Sequence, residues 1–434
     1  MSYQMKKQII VIIILFGMCG TGFSQQSNGQ QALNLTLKEA QDYAVQHNIN
    51  ILNAGLSVSE AQKRTWEVIS AGLPQVNATV SYQNMMGFKM SFAGMNIAMV
   101  PTSNFQATVS QLLLSASYWV GIKMSKIGEE MSETARQQAE HDVRQQTQSA
   151  YYTVLVVQEN LKILEQNLKN IETIAKSAED LVRVGVAEQT DADQLKVQTL
   201  TMTNAIKSLE RNIELAYNLL RFQLGAEADT EIVLTQTLEE LMMTKDANEM
   251  LAKEFDLNEN YTVQLLDGQI ELANMQVNLE KAASLPTVAA FYSYTYKIAK
   301  STFDMSPNNV IGLQANIPIF ASGQRHVRTQ QAKINLEKFQ NNRELISESL
   351  LMQEKQLRFN LNSAIESLEL QKEAMEVSQR VFESVTRKFQ QGTASSLDVT
   401  TASTSLLQSQ GTYINSMMEV LSAQTELEKL LNNF

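Results

Sequence analysis

Three histidines are the first residues to consider for catalysis, and the chain has no others: His47, His141 and His326. Each lies in a polar helical context, without the acid and nucleophile that acid–base or covalent catalysis requires. The sequence contains no metal-ligand spacing, phosphate-binding loop or serine nucleophile elbow. We therefore predict solvated helix histidines, no catalytic residue, no bound metal and no cofactor.

Five methionines form a second group with possible chemistry. They are Met85, Met86, Met90, Met95 and Met99. Thioethers suit soft ions such as Cu(I). A flexible apolar loop or an extended strand has the same composition. Because the group has no fixed spacing and no histidine partner, the sequence favours the apolar segment over the metal contact.

Two aspartates follow glycines in a pair of matching phrases. RVGVAEQTDADQL begins at Arg183 and FQQGTASSLDVTT begins at Phe389. Their alignment places Gly185 on Gly392 and Asp191 on Asp398. Glycine enters the left-handed conformation without a side-chain clash, so we predict that each glycine ends a helix and reverses the chain. Each aspartate then lies at the start of a return helix, where negative charge is favourable.

A second pair of phrases indicates that the chain is duplicated. AGLPQVNATVSY and ASLPTVAAFYSY place Pro74 on Pro286, 212 residues apart, and the glycines are 207 residues apart. We predict a first repeat over 25–225, a connector over 226–245 and a second repeat over 246–434. Each repeat contains short helices, two strands, one very long helix, a glycine turn and a return helix.

The strands are predicted from alternation of apolar and polar residues. They cover about 75–85, 104–115, 286–297 and 309–319. Each has the length of a tilted strand that crosses a membrane. Four strands cannot close a barrel, so several chains must share one. A soluble antiparallel sheet is the alternative. The residues predicted to face lipid are Val76, Val80, Tyr82, Phe105, Val109, Val288, Tyr292, Ile311 and Leu313.

Long helices are predicted where glycine and proline are missing. From Gln324 to Gln391 there is neither residue, and a continuous helix of that length would reach roughly 100 Å. Apolar residues recur there in steps of three and four, which is typical of a coiled-coil seam. We predict helical hairpins over 121–225 and 322–434.

The N-terminus has the pattern of a secretory signal peptide over residues 1–24. Lys6 and Lys7 precede an apolar run, and Gly22 and Ser24 suit a cleavage site after Ser24. No later stretch has the roughly 18 consecutive apolar residues of a spanning helix, so we predict none. Removal of the peptide changes the formal charge from −11 to −13, and an acidic chain is a poor nucleic-acid binder.

The only cysteine, Cys19, lies inside this peptide, so we expect no thiol in the mature chain. Lipid attachment at Cys19 is an alternative. It is disfavoured because Phe16 and Met18 replace the leucine and small residue of the bacterial lipoprotein pattern.

Taken together, these features resemble the TolC-type outer-membrane efflux family. Its most specific marks are FQQGTASSLDVTTASTSLLQSQ from Phe389 and VGVAEQTDADQLKVQ from Val184. The resemblance implies a mainly α fold with four strands per chain, which three chains combine into a 12-stranded barrel continued by an α-helical tunnel. It also implies a location in the bacterial outer membrane with the tunnel in the periplasm. The expected partners are two further copies, a periplasmic adaptor, an inner-membrane pump and membrane lipid.

The resemblance also implies a pore constriction at the hairpin ends. By position, Asp398 matches the family's aperture aspartate and Asp191 its counterpart in the first repeat. Three copies of Asp398 would form a carboxylate ring that attracts cations, unless the residue serves only the helix start. At Thr401 some members have a second ring acid, and at Ala394 some have a basic latch residue, so closure is expected to differ here.

A secreted coiled-coil scaffold is the competing class of protein. Such a scaffold would not need four strands of membrane length in two matched pairs. The sequence therefore favours the exit channel of an efflux or type I secretion system. It leaves open whether drugs, metal ions or proteins are exported.

Overall fold

A computed structural model describes residues 32–92, 95–98, 100–244, 247–299 and 306–432. The predicted signal peptide 1–24 lies outside the described residues, and so does Met99. Helices make up 72% of the structure, which confirms the mainly α prediction. In the described ranges, no helix combines the length and apolar character needed to cross a membrane.

Nine α-helices lie in the described residues. They are α1 (Leu37–His47), α2 (Ile49–Ser70), α3 (Ala116–Arg183), α4 (Gln189–Leu224), α5 (Leu238–Thr244), α6 (Ala247–Ala252), α7 (Tyr261–Ala282), α8 (Gln324–Gln390) and α9 (Ser396–Leu430). The two longest, α3 and α8, have 68 and 67 residues. At 1.5 Å per residue each spans roughly 100 Å.

Eight strands accompany these helices. They are β1 (Leu33–Leu35), β2 (Gln75–Gln83), β3 (Lys89–Phe92), β4 (Met95–Ala98), β5 (Thr102–Leu114), β6 (Ile232–Leu234), β7 (Thr287–Ala299) and β8 (Asn309–Asn316). The four predicted strands correspond to β2, β5, β7 and β8. The sequence analysis missed the β3–β4 hairpin and the parallel β1–β6 pair. It also assigned no structure to 226–245, where β6 and α5 lie.

The end of one strand and the start of one helix differ from their predicted positions because polar side chains cap the backbone there. β2 ends at Gln83, since the Asn84 side chain accepts a hydrogen bond from the Met86 amide at 2.9 Å and starts a turn. α3 begins five residues before the predicted 121, because the Ser115 hydroxyl accepts a hydrogen bond from the Tyr118 amide at 3.2 Å.

The main sheet has the strand order β2–β5–β7–β8, with every neighbouring pair antiparallel. Its register aligns Val76, Val109, Tyr292 and Ile311 in one row across all four strands. Because side chains alternate along a strand, all nine residues predicted to face lipid share this face. β2 and β8 are the outer strands, and neither has a second partner strand among the described residues.

The opposite face of the sheet is mainly polar. At its centre the hydroxyl of Ser293 accepts a hydrogen bond from Gln106 Nε2 at 2.7 Å and lies 3.1 Å from the hydroxyl oxygen of Thr108. Phe291 also lies on this face, directly opposite Gly312. A Cβ atom at Gly312 would lie 2.7 Å from Phe291 Cζ, so the glycine makes room for the ring. The sheet thus has one apolar and one polar surface.

The helices beside the sheet repeat the order of the strands. α2 leads into β2, β5 into α3, α7 into β7 and β8 into α8. Thr65 of α2 donates a hydrogen bond to the Ser125 carbonyl of α3, and Arg343 of α8 pairs with Asp267 of α7 at 2.9 Å. Gly268 of α7 lies against Met131 of α3. The resulting order is α2–α3–α7–α8, so α2 and α8 form the edges of the helical layer.

In each repeat, one asparagine joins the end of the return helix to the start of a shorter helix. The side-chain Oδ1 of Asn48 caps α2 by accepting from the Asn50 amide, while Asn48 Nδ2 donates to the Gln223 carbonyl of α4 at 2.7 Å. Asn260 caps α7 and donates to the Leu430 carbonyl of α9 at 3.5 Å. The asparagines are 212 residues apart and the accepting carbonyls 207, the same offsets as in the duplicated phrases.

The two hairpins pack against each other through apolar clusters. One cluster lies toward the glycine turns and is built from all four hairpin helices, with Ile171, Leu195, Phe382 and Val399 each at most 5% exposed. A second lies where the short helices meet the hairpins and includes Tyr151 and Leu220. Burial of each such side chain contributes roughly 1.5–3 kcal/mol, which fixes one hairpin on the other.

Candidate functional site at the hairpin ends

Both hairpins reverse through the same backbone motif. Gly185 and Gly392 have φ angles of 77° and 73°, in the left-handed region. The Gly185 amide donates to the Val182 carbonyl, and the next amide donates to the Leu181 carbonyl at 2.9 Å. The second hairpin repeats this pattern from Gly392 to the Phe389 carbonyl. This is a Schellman motif, which explains the glycine at both positions.

Asp398 takes part in a capping box at the start of α9. Its Oδ2 accepts hydrogen bonds from the backbone amide of Ser395 at 2.9 Å and from the Ser395 hydroxyl at 2.8 Å. The Asp398 amide donates to the Ser395 hydroxyl oxygen at 3.2 Å. These bonds, the backbone one first, lower the pKa of the Asp398 carboxyl below its usual value. Asp398 is exposed, so the carboxylate also faces solvent.

Asp191 is placed differently from its counterpart. The N-cap residue of α4, Glu188, makes no side-chain capping bond. Asp191 instead contacts the other hairpin, where the hydroxyl of Ser396 donates to its Oδ1 at 2.5 Å. Ser396 is 1% exposed and also lies 2.8 Å from Gln194 Oε1. Sequence reasoning missed Ser396, because this contact depends on how two distant hairpins align.

Asp398 and Thr401 are one helical turn apart and share an exposed face of α9. Both line a groove of about 610 Å³ between α8 and α9, together with Lys388 and Val381. The Thr401 hydroxyl donates to the Leu397 carbonyl of its own helix at 2.8 Å. Of the three predicted constriction residues, the structure brings Asp398 and Thr401 together, whereas Asp191 faces Ser396.

The histidines have three different environments. His47 stacks on Tyr43 with ring centroids 4.0 Å apart, and His326 is exposed. For His141 the prediction of a solvated histidine is wrong. Its side chain is 8% exposed and packs edge-on against Tyr261, because His141 lies on the face of α3 that covers α7. Burial lowers the pKa of His141. In the described part of the chain, no group of three or more His, Cys, Asp or Glu side chains could hold a metal ion.

The methionine-rich segment forms the turn and the short β3–β4 hairpin beyond β2. Met85 and Met86 are exposed, and Met86 has a positive φ of 44°. Met90 lies opposite Ile97, and Met95 opposite Phe92. The interpretation of this segment as apolar rather than metal-binding stays a prediction.

Comparison with known proteins gives a consistent result across sequence and fold. The family model described as outer membrane efflux protein matches residues 41–226 and 257–433. Outer membrane protein TolC of Vibrio cholerae is 21% identical over 394 residues, with 87% of this chain and 86% of that protein covered. The cobalt-zinc-cadmium resistance protein CzcC of Cupriavidus metallidurans is 22% identical, with 67% and 68% covered.

The fold is similar to that of solved outer-membrane proteins. The crystal structure of VceC from Vibrio cholerae superimposes with a TM-score of 0.73 at 16% identity, covering 91% of this chain and 95% of VceC. The family model covers most of the chain and both of its hairpins. The chain therefore belongs to the outer membrane efflux protein family, which confirms the resemblance found in the sequence and the predicted location in the bacterial outer membrane.

Proposed function

We propose that this protein is the outer-membrane exit channel of a tripartite efflux or type I secretion system. Three copies form one 12-stranded barrel, and their helices continue it as a tunnel into the periplasm. An inner-membrane pump and a periplasmic adaptor deliver solutes to the tunnel. The observation that carries the proposal is the main sheet, which has four strands, two unpaired edges and one apolar face.

The open edges support the assembly of several chains. Backbone groups inside a bilayer must all be paired, so a sheet that spans it must close on itself. β2 and β8 are the strands left to pair with neighbouring copies. In a barrel of twelve strands from three chains, both edge strands of each sheet pair with a neighbouring copy, and the ring has cyclic symmetry. The apolar face then meets lipid and the polar face with Ser293 lines the lumen.

An uncovered apolar stripe on α8 supports the same arrangement in the helical layer. Its eight members are 43–69% exposed and recur in steps of seven, eleven and four, which keeps them on one face of a straight helix. They are Val327, Ile334, Leu345, Met352, Phe359, Leu370, Val377 and Val381. A continuous apolar stripe of this length indicates a contact surface for another protein.

The other edge of the helical layer has a matching stripe. It runs along α2 and continues on α4, which Asn48 joins end to end. Its exposed members are Ile49, Leu52, Leu56, Val197, Leu200, Leu215, Leu219 and Phe222. The contacts between Thr65 and Ser125, Met131 and Gly268, and Asp267 and Arg343 define common levels along the helices. By these levels Leu345 is level with Leu56, so the α8 stripe and the α2 part of the other stripe match in a ring of three chains.

The hairpin ends form the pore constriction in this proposal. Gly185 and Gly392 reverse the hairpins, and Asp398 and Thr401 face the axis of the trimer. Asp191 serves beside them by holding the first hairpin to the second. The two hairpins belong to repeats over 25–225 and 246–434, joined by the connector 226–245, and residues 1–24 are removed as a signal peptide.

Cell fractionation tests the proposal. The protein is expected in the outer membrane, and before heating it should migrate as a trimer in detergent gels. Recovery as a periplasmic monomer would contradict it and favour the coiled-coil scaffold. A monodisperse monomer in mild detergent with full strand content would also contradict it.

A further inference from the structure

The border between the main sheet and its helices is unusually basic for this chain. The segments within about three turns of the strands are 60–70 of α2, 116–126 of α3, 272–282 of α7 and 324–334 of α8. They contain eight basic residues: Lys63, Arg64, Lys123, Lys126, Lys281, Arg325, Arg328 and Lys333. Only Glu60, Glu67 and Glu280 are acidic there, whereas the whole chain has 46 acidic and 35 basic residues. We call these eight residues the junction collar.

The collar side chains are available to a partner. Seven of the eight are exposed, and Arg325 is half-buried and donates to the Pro318 carbonyl at 3.0 Å. None of the eight forms an ion pair with another described residue. The collar is therefore an unneutralised positive band.

Both tryptophans of the chain lie in the same band. Trp66 is four residues and Trp119 three residues from the strand-side end of its helix, and they are 60% and 62% exposed. At 1.5 Å per residue they lie roughly 6 Å and 5 Å from the sheet border. Exposed tryptophan beside lysine and arginine is the composition of a membrane–water interface, where the ring lies at headgroup level and the cation beyond it.

We infer that the junction collar binds the anionic phosphate headgroups of phospholipids in the leaflet that faces the helices. This inference rests on the proposed function, since it requires the sheet to span the membrane. With the sheet in the bilayer, the collar residues nearest the strands lie within one Debye length, about 8–10 Å, of the headgroup phosphates. Three chains would surround the barrel with a band of 24 basic side chains about three helical turns deep, which selects for anionic over zwitterionic lipid.

Fluorescence of the two tryptophans gives a direct test. The full-length mature trimer is reconstituted in bilayers that contain both phosphatidylcholine and phosphatidylglycerol. In one set of bilayers the phosphatidylcholine is brominated near the headgroup, in the other the phosphatidylglycerol, and the brominated lipid quenches tryptophan. The expected result is an apparent affinity for phosphatidylglycerol about fivefold above that for phosphatidylcholine. The variant Lys63→Gln/Lys123→Gln/Arg328→Gln should reduce this ratio to near one while remaining a trimer.

The matched control is Lys207→Gln/Arg211→Gln/Lys372→Gln, which removes three exposed charges far from the sheet and should keep the fivefold preference. Equal affinity for both lipids in the unmodified protein would overturn the inference, and so would an unchanged ratio in the collar variant. If a low concentration of inorganic phosphate abolished the preference for phosphatidylglycerol over phosphatidylcholine, the collar would be a site for free phosphate instead. Failure of the proposed function would appear separately, as no quenching by either lipid.

Discussion

The hydroxyl oxygen of Ser396 lies 2.5 Å from Oδ1 of Asp191, and this contact joins the ends of the two hairpins. Ser396 is buried, and Asp191 is half-buried at the first turn of α4. A hydrogen bond from a hydroxyl to a carboxylate contributes about 1.5–3 kcal/mol. It holds the second hairpin against the first, and in the proposed channel this would keep the tunnel narrow.

We expect Ser396→Ala to loosen the hairpin ends, because Asp191 loses its donor from the other hairpin. In planar bilayers the variant trimer should show a larger single-channel conductance than the unmodified trimer. Thr404→Ala is the control, since Thr404 is exposed on the same helix and its hydroxyl donates to the Thr400 carbonyl within that helix. Equal conductance in all three proteins would remove this contact from the closed state.

The variant Asp398→Asn distinguishes a role of Asp398 in the pore from a role in capping α9. If Asp398 faces the axis, loss of the threefold carboxylate ring should lower cation selectivity and weaken block by divalent ions. If it serves only the capping box with Ser395, stability should fall slightly and selectivity should stay the same. Reversal potentials in bilayers measure selectivity, with Asp191→Asn in parallel. Unchanged selectivity in both variants would place both residues outside the pore.

The capping box also predicts a dependence on pH. The pKa of Asp398 is lower in the fold than its ordinary value of 3.8, so the carboxylate stabilises the fold above that value. This stabilisation is lost as pH falls below 3.8 through the lowered pKa. Thermal unfolding of the unmodified protein and Asp398→Asn should therefore differ at pH 6 and converge near pH 2. A difference that persists at pH 2 would contradict the role of the charge.

The face of the main sheet can be tested at two neighbouring positions. Val80 lies on the apolar face opposite Phe105, and Thr79 on the polar face opposite Gln106. Val80→Arg should cost ~2–4 kcal/mol near the bilayer midplane and impair assembly, because the charge would enter lipid. Thr79→Arg should be tolerated in the wet lumen. The yield of heat-sensitive trimer measures both, and equal tolerance would show that the faces are assigned wrongly.

The end-to-end joints of the helices give a paired comparison. Asn48→Ala removes the cap of α2 and the bond to Gln223, and should lower the free energy of unfolding by about 1–3 kcal/mol. Asn260→Ala should cost less, since its bond to Leu430 is longer. Denaturant titration measures both losses, with exposed Asn50→Ala as control. A larger loss for Asn260→Ala would contradict this ranking.

Much of this fold follows from local sequence patterns. The alternation around Val76 and the helix-ending glycines Gly185 and Gly392 are local signals, so they predicted a sheet with unlike faces and hairpins with defined ends. The joint at Asn48 could also be predicted from the sequence, because Asn260 repeats it at the offset of the duplicated prolines. The pairing of Ser396 with Asp191 could not be predicted, since it depends on the register of two helices about 200 residues apart. The burial of His141 likewise depends on which face of α3 meets α7.

Disulfide formation between neighbouring copies tests the central claim of a closed ring of three chains. Leu345→Cys on α8 and Leu56→Cys on α2 are placed in one mature chain, which has no other cysteine once residues 1–24 are removed. The two positions belong to opposite edges of the helical layer and lie at the same level. Oxidation in the outer membrane should give a covalent trimer on non-reducing gels, whereas Leu345→Cys with Ser57→Cys, on the neighbouring face of α2, should not. Monomer alone from the first pair, in protein recovered from the outer membrane, would contradict the ring.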